Sequence, residues 1–141
     1  MIDRNPSVNR ELKDKAMNRI DHALGRPVNP MEESYRNYFY TYKGDEYHSE
    51  LEDDPNWFKA SIGEDWAVYR VTNAGREALQ KYLRAIGSKT RLFVVSFNGF
   101  EESQVAKTHS EARYLKWLSV SDCYDITFGE FMKRCRVRVA A

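Results

Sequence analysis

Apolar and polar positions alternate along this chain with two different periods, and the periods change from one short segment to the next. Leu12, Ala16, Ile20 and Ala23 recur at helical spacing. Gly25 and Pro27 supply a stop, so the pattern predicts a first helix from about residue 7 to Leu24. Asn29 is a good N-cap, Pro30 suits a first turn, and Glu32 stands three residues after the cap. A second helix is therefore expected over 30–42. Tyr35, Tyr38, Phe39 and Tyr42 would share one face of it and read as core, while Tyr40 would point away and read as a contact residue. Residues 43–54 have no period and read as a loop. Asp54 and Pro55 are expected to open a short helix to about Ile62 that carries Trp57 and Phe58. Trp66–Val71 reads as a strand, and Thr72 as the cap of a helix over 73–86 with Ala78, Leu79, Tyr82, Leu83 and Ile86 inward.

The second half begins as a hairpin. Arg91–Phe97 is apolar on both faces, as a central strand is; Asn98-Gly99 has two-residue turn chemistry; and 100–107 returns as a more polar strand nearer an edge. Thr108 with Glu111, and Thr127 with Glu130, are capping boxes that open two helices, the first ending near Ser121. In 136–140, Val137 and Val139 alternate with Arg136 and Arg138, which predicts a last strand with the valines inward.

Length and composition narrow the class. The chain has 141 residues, 42% hydrophobic, 13% aromatic and 30% charged, which suits a globular domain that buries its own core without staples. No apolar run approaches the length of a membrane span, and the first residues lack a secretion-signal core. A cytoplasmic protein of the host cell, with no membrane partner, is expected. Cys123 and Cys135 form no Cys-x-x-Cys pair and read as reduced thiols.

Catalytic motifs are not apparent. His22, His48 and His109 lie in no metal-ligand spacing, and no nucleophile elbow, phosphate loop or dinucleotide fingerprint occurs. His48, flanked by carboxylates, is the nearest approach to an acid–base pair. The expectation is a protein that is not an enzyme and uses no cofactor and no metal.

The net charge of +1 conceals a strong asymmetry. Residues 43–66 carry two basic side chains against eight acidic ones, a local −6, whereas 67–141 carry thirteen basic against seven acidic, +6. The acidic segment suggests a docking patch of Asp45, Glu46, Glu50, Glu52, Asp53 and Asp54, anchored by Tyr47, Trp57 and Trp66, for a basic groove where phosphates would otherwise sit. The plain alternative is a solvated loop. Arg91, Lys133, Arg134, Arg136 and Arg138 make a second candidate, a phosphate-binding surface; the plain alternative there is an edge strand guarded by charge.

Two resemblances add to this. Val68–Leu83, a strand turning at Thr72 into a helix, looks like the end of a winged-helix domain, with Gly75 allowing close approach and three preceding helices supplying a helix-turn-helix. Tyr35-Arg36-Asn37-Tyr38-Phe39, Gly44, the acidic stretch, Trp57 and Val71-Thr72-Asn73-Ala74-Gly75 resemble small uncharacterised proteins of bacteriophages and prophages. Val105–Tyr114, with Phe128-Gly129-Glu130-Phe131, is similar to another module of such proteins. The resemblance implies a viral accessory role and assigns no functional residue.

The sequence thus predicts an α+β fold: a helical, winged-helix-like half over 1–87, packed on a small antiparallel sheet with two helices in a ββααβ half over 88–141, the two integrated as one domain. The leading functional expectation is a phage-type accessory protein that binds a protein partner, such as a nucleic-acid-binding host complex, as an anti-CRISPR-like inhibitor and DNA mimic would. The alternatives are a winged-helix DNA-binding regulator using the basic surface, and a phage structural or assembly component.

Overall fold

Asp21 is a fully buried carboxylate, and its partners set the path of the first third of the chain. Arg10 meets it with two donors, Nε at 2.9 Å and Nη2 at 2.6 Å, and Arg26 adds a third at 3.0 Å. Arg10 also donates to the Pro27 carbonyl, so one guanidinium ties the N-terminal segment to the turn that follows the first helix. The computed structural model describes residues 3–140, apart from the side chains of Glu46 and Tyr47. The chain divides into two compact units, one spanning Ser7–Ser88 and the other comprising Lys89 onward together with the residues before Ser7.

The first unit contains α1 (Lys15–Leu24), β1 (Phe39–Tyr42), α2 (Glu46–Leu51), β2 (Trp57–Ile62), β3 (Trp66–Val71) and α3 (Asn73–Ala85). Helix α1 starts at Asp14, whose side chain accepts from the Met17 N–H, and ends at Gly25 in the left-handed conformation. The expected helix began at residue 7. Residues 7–13 instead run alongside, with the Val8 N–H donating to the Arg26 carbonyl, because Arg10 must reach Asp21.

Two further expected helices are strands. Residues 39–42 and 57–62 pair antiparallel with β3 on either side of it, in the order β1-β3-β2. Phe, Tyr, Thr and Trp suit a pleated surface better than a helix, and the spacing of the rings in 38–42 fits a period of 2 as well as 3.6. Asp54 does accept from the Asn56 N–H, but this closes a single turn before β2. Without helices at 30–42 and 55–62 there is no helix-turn-helix, and the winged-helix likeness is not confirmed. Residues 46–51, expected as loop, form a short helix that Leu51 anchors in the core.

Strand β3 and helix α3 follow the expectation. Thr72 caps α3 by accepting from the Gly75 N–H at 3.2 Å, and its own hydroxyl donates to the Pro55 carbonyl. A Cβ on Gly75 would lie 2.6 Å from the Asn56 carbonyl oxygen, so this close approach needs glycine. Ile20, Ala23, Leu24, Leu79 and Leu83 pack with Trp57, Ala67, Tyr69 and Val71.

The second unit has β4 (Arg91–Phe97), β5 (Phe100–Ala106), α4 (His109–Val120), α5 (Phe128–Arg134) and β6 (Arg136–Val139). It is the expected ββααβ arrangement. β4 lies between β5 and β6, and Asn98 and Gly99, at φ 52° and 83°, make the turn. Phe93, Val95 and Phe97 bury with Ala112, Val120, Phe131 and Cys135. Val137 is half-buried as expected, but Val139, near the end of its strand, stays 40% exposed. The fold class is α+β. Among the described residues no helix is long and apolar enough to cross a membrane.

Removing Arg10 would strip the buried Asp21 carboxylate of two of its three guanidinium donors, with no water to replace them. Arg10→Leu is therefore expected to lower the unfolding free energy by about 3 kcal/mol. The measurement is a urea titration, where the midpoint should fall at unchanged slope; an unshifted midpoint would show that Arg26 alone suffices.

Candidate functional site

Alternation along β3 separates the two faces of the first sheet. Ala67, Tyr69 and Val71 are buried against the helices, so Trp66, Val68 and Arg70 face the other way. The register places Tyr42 opposite Trp66, Tyr40 opposite Val68 and Phe58 opposite Arg70. Tyr38 precedes β1 on the same outward parity. The rings on this face remain open: Tyr38 48%, Tyr40 46%, Tyr42 59% and Phe58 60% exposed.

The rings are organised against each other. Tyr42 stands at 86° to Tyr40 with centroids 5.4 Å apart, and Trp66 stacks on Tyr40 at 6.0 Å and 21°. Trp66 in turn rests on Gly63, where a Cβ would fall 2.0 Å from the indole Nε1, so only glycine leaves room for the ring. Partial burial, a hydrogen bond with Tyr42 and then the nearby charges, Asp65 among them, push the Tyr40 phenol above its ordinary value. At the opposite end Arg36 stacks over Tyr38, 4.3 Å from the ring centre.

The stripe Tyr35, Tyr38, Phe39 and Tyr42 was expected as core, and that expectation is corrected. Only Phe39 is partly buried there, against Trp57 at 5.9 Å; Tyr35 is 75% exposed. Strand geometry sends Phe39 and Thr41 inward and Tyr38, Tyr40 and Tyr42 outward. The signal was present as an alternation of period 2, masked by ring spacings that also fit a helix.

Several of the acidic candidates are bound within the unit. Glu50 pairs with Arg19 at 3.2 Å. Glu52 binds Lys59 at 2.5 Å, accepts from the Tyr69 hydroxyl at 3.0 Å, and lies 3.6 Å from His48 Nδ1. Asp54 belongs to the turn before β2. Asp45 and Asp53 are exposed, as are Glu64 and Asp65 in the β2–β3 turn. The side chains of Glu46 and Tyr47 lie outside the described residues. Trp57, expected as an anchor for a partner, is 7% exposed and part of the core, because its position in β2 faces inward. Trp66 is half-buried on the open face.

The basic candidates do not form one surface. Arg136 and Arg138 pair with Ser96 and Val94, whereas Arg91 shares the opposite parity of β4 with Phe93 and stacks over its ring at 5.5 Å. Arg136 donates to the Lys133 and Cys135 carbonyls and so closes the end of α5. Arg138 pairs with Glu101 at 3.5 Å. Lys133 and Arg134 are exposed on α5. Cys123 is exposed and Cys135 buried, and neither is bridged. Among the described residues no group of three His, Cys, Asp or Glu could hold a metal ion.

Compared with known proteins, the chain matches no family model, no curated sequence and no solved structure. Its functional reading therefore rests on the geometry of this face and on the charges around it.

The Glu52 network makes a pH-dependent contribution. Hydrogen bonds from Lys59 and Tyr69 hold the Glu52 carboxyl below its ordinary value of 4.5. Burial, and then Glu52, push the Tyr69 phenol up from 10.0 to about 12. A carboxyl held low stabilises the folded chain above its unfolded value, and that contribution disappears as pH falls through the folded value. A phenol held high stabilises below its unfolded value and loses that contribution as pH rises from 10.0 through about 12. Glu52→Gln should lower the urea midpoint at neutral pH, and the gap to the wild type should close below pH 4.5. A gap independent of pH would exclude an ionised Glu52 as its source.

Proposed function

We propose that this chain is a phage-type accessory protein of the host cytoplasm that acts by binding, not by catalysis. In this reading it docks through the open face of β1-β3-β2 onto a basic, nucleic-acid-binding protein, such as a host defence nuclease. One observation carries the proposal: four exposed rings, Tyr38, Tyr40, Tyr42 and Phe58, lie on a single uncovered sheet face in the same unit as the most acidic segment of the chain. Large, rigid aromatic side chains contribute much area per rotamer fixed, which is why they dominate binding hot spots. Exposed carboxylates at Asp53, Glu64 and Asp65 add attraction for a partner that ordinarily holds phosphates.

The phage-type character is supported by the sequence resemblance, and the docking surface by the geometry. A DNA-binding regulator acting through Arg91, Lys133, Arg134, Arg136 and Arg138 has less support, since those side chains are divided between two faces and a helix end.

The test is affinity capture from a bacterial host with the wild type and with a Tyr42→Ser/Phe58→Ser variant. The wild type should retain a nucleic-acid-binding protein that excess duplex DNA releases, and the variant should bind it about tenfold more weakly. Equal retention by the variant, or no release by DNA, would overturn the proposal. Charge reversal belongs at Asp53, Glu64 and Asp65; at Glu50 or Glu52 it would unpair Arg19 or Lys59 and confound binding with folding. Reversing those three to lysine should cost at least as much binding as the ring variant, most of it at low salt, and an unchanged affinity would remove the charge argument.

A further inference from the structure

The open face is not uniform, and its two ends favour opposite charges. At one end Arg70 lies opposite Phe58, and Arg36 stacks over Tyr38. At the other, Tyr40, Tyr42 and Trp66 adjoin the Glu64-Asp65 turn, and Asp65 is close enough to Tyr40 for its charge to act on the phenol. Four residues of strand, about 13 Å, separate Trp66 from Arg70.

We infer that the corner formed by Tyr40 and Tyr42, beside Trp66 and Asp65, receives an arginine side chain of a basic protein partner. Resting on the proposed function, this names the contact chemistry of that same face. Three observations support it. Tyr42 stays 59% exposed beside Tyr40, with the ring centroids 5.4 Å apart, so aromatic surface that attracts a cation remains open there. Asp65 supplies a formal negative charge to pair with it. Trp66 is held against Gly63, so the corner is set before a ligand arrives.

Charge complementarity selects the occupant. Lys43 follows Tyr42 and is exposed, and its backbone N–H donates to the Asp65 carbonyl at 2.9 Å. Beside Lys43 stand the exposed carboxylates of Glu64 and Asp65, so a cationic side chain is attracted to this end and a phosphate is repelled. Arginine fits better than lysine because its planar guanidinium can stack on a ring and still donate to a carboxylate.

The experiment is an NMR titration of the full chain with a capped Gly-Arg repeat peptide at physiological salt. Gly-Lys and Gly-Glu repeats of equal length, and an oligothymidylate, serve as comparisons. The Arg peptide should move the Trp66 indole, Tyr40, Tyr42 and Asp65 resonances and bind more tightly than the Lys peptide. Tyr42→Ala and Asp65→Asn should each weaken it about fivefold, while Glu77→Gln, which removes an exposed carboxylate from α3, should leave it within twofold.

Equal affinity for both cationic peptides, equal loss in Glu77→Gln, or the same shifts caused by oligothymidylate would each overturn the inference. Asp65→Asn removes a charge from an exposed turn, so its result stands even if Tyr42→Ala disturbs the strand. Peptide binding here without a nucleic-acid-binding partner in the capture experiment would remove the proposed partner and leave the subsite. The reverse pair of results would remove the subsite alone.

Discussion

The carboxylate of Asp21 is the constraint on which the first unit depends. A buried charge of this kind is tolerated only when donors surround it, and Arg10 and Arg26 come from opposite sides of α1 in sequence to do so. Meeting it places Arg26 at φ 54°, directly after Gly25 at 84°, so two successive residues adopt the left-handed conformation. For a residue with a Cβ that costs roughly 1 kcal/mol, which the ion pair and the Arg26 N–H bond to the Asp21 carbonyl offset. The sharp reversal brings the chain back so that the Tyr38 N–H donates to the Ala23 carbonyl. Asn37 then uses its side-chain amide to bond both the N–H and the carbonyl of Val71. That side chain continues the β1-β3 pairing to Val71, two residues beyond the Phe39–Tyr69 pair, and so holds its register.

Register decides which rings face outward. Shifted by one residue, β1 would send Tyr40 and Tyr42 into the core and leave Phe39 and Thr41 in water. The buried Asp21 cluster and the exposed aromatic face are thus connected: the first sets the turn, the turn sets the register, and the register sets the surface. Tyrosine suits such a face because its ring covers the sheet while its hydroxyl remains solvated. The contacts among Tyr40, Tyr42 and Trp66 also hide part of each ring, which limits the solubility cost of leaving them uncovered.

What the sequence made legible was local chemistry. Thr72, Thr108 and Thr127 each cap a helix through the N–H three residues on, and Asn98-Gly99 turns a hairpin; these depend on neighbours in the chain alone. The failures lie where two local readings compete and tertiary contacts choose between them. Residues 35–42 and 55–62 carry ring spacings compatible with helix or strand, and pairing with β3 on both sides selected strand. The start of α1 was misjudged because Leu12 falls on the helical period, yet Arg10 is drawn away to a carboxylate eleven residues on. The candidate site was half legible. Tyr40 was expected to point away from the core, as it does, but Tyr38, Tyr42 and Phe58 were assigned to the inner faces or bodies of helices, and Trp57 was placed outside a core it helps to form.

The acidic segment shows why a count of charges is a poor guide to a surface. Glu50 and Glu52 are matched by Arg19 and Lys59 over short distances, so from farther away each pair acts as a dipole and not as a net charge. Fields from exposed charges decay over about 8 Å at physiological salt, which further favours groups that stand at the surface. Asp53, Glu64 and Asp65 therefore contribute more to the potential met by an approaching partner than their share of the eight carboxylates implies. Of these, Asp65 adjoins the open rings. Exposed charge and open aromatic rings then meet at one end of one sheet, a convergence that follows from strand register and not from the composition of the segment.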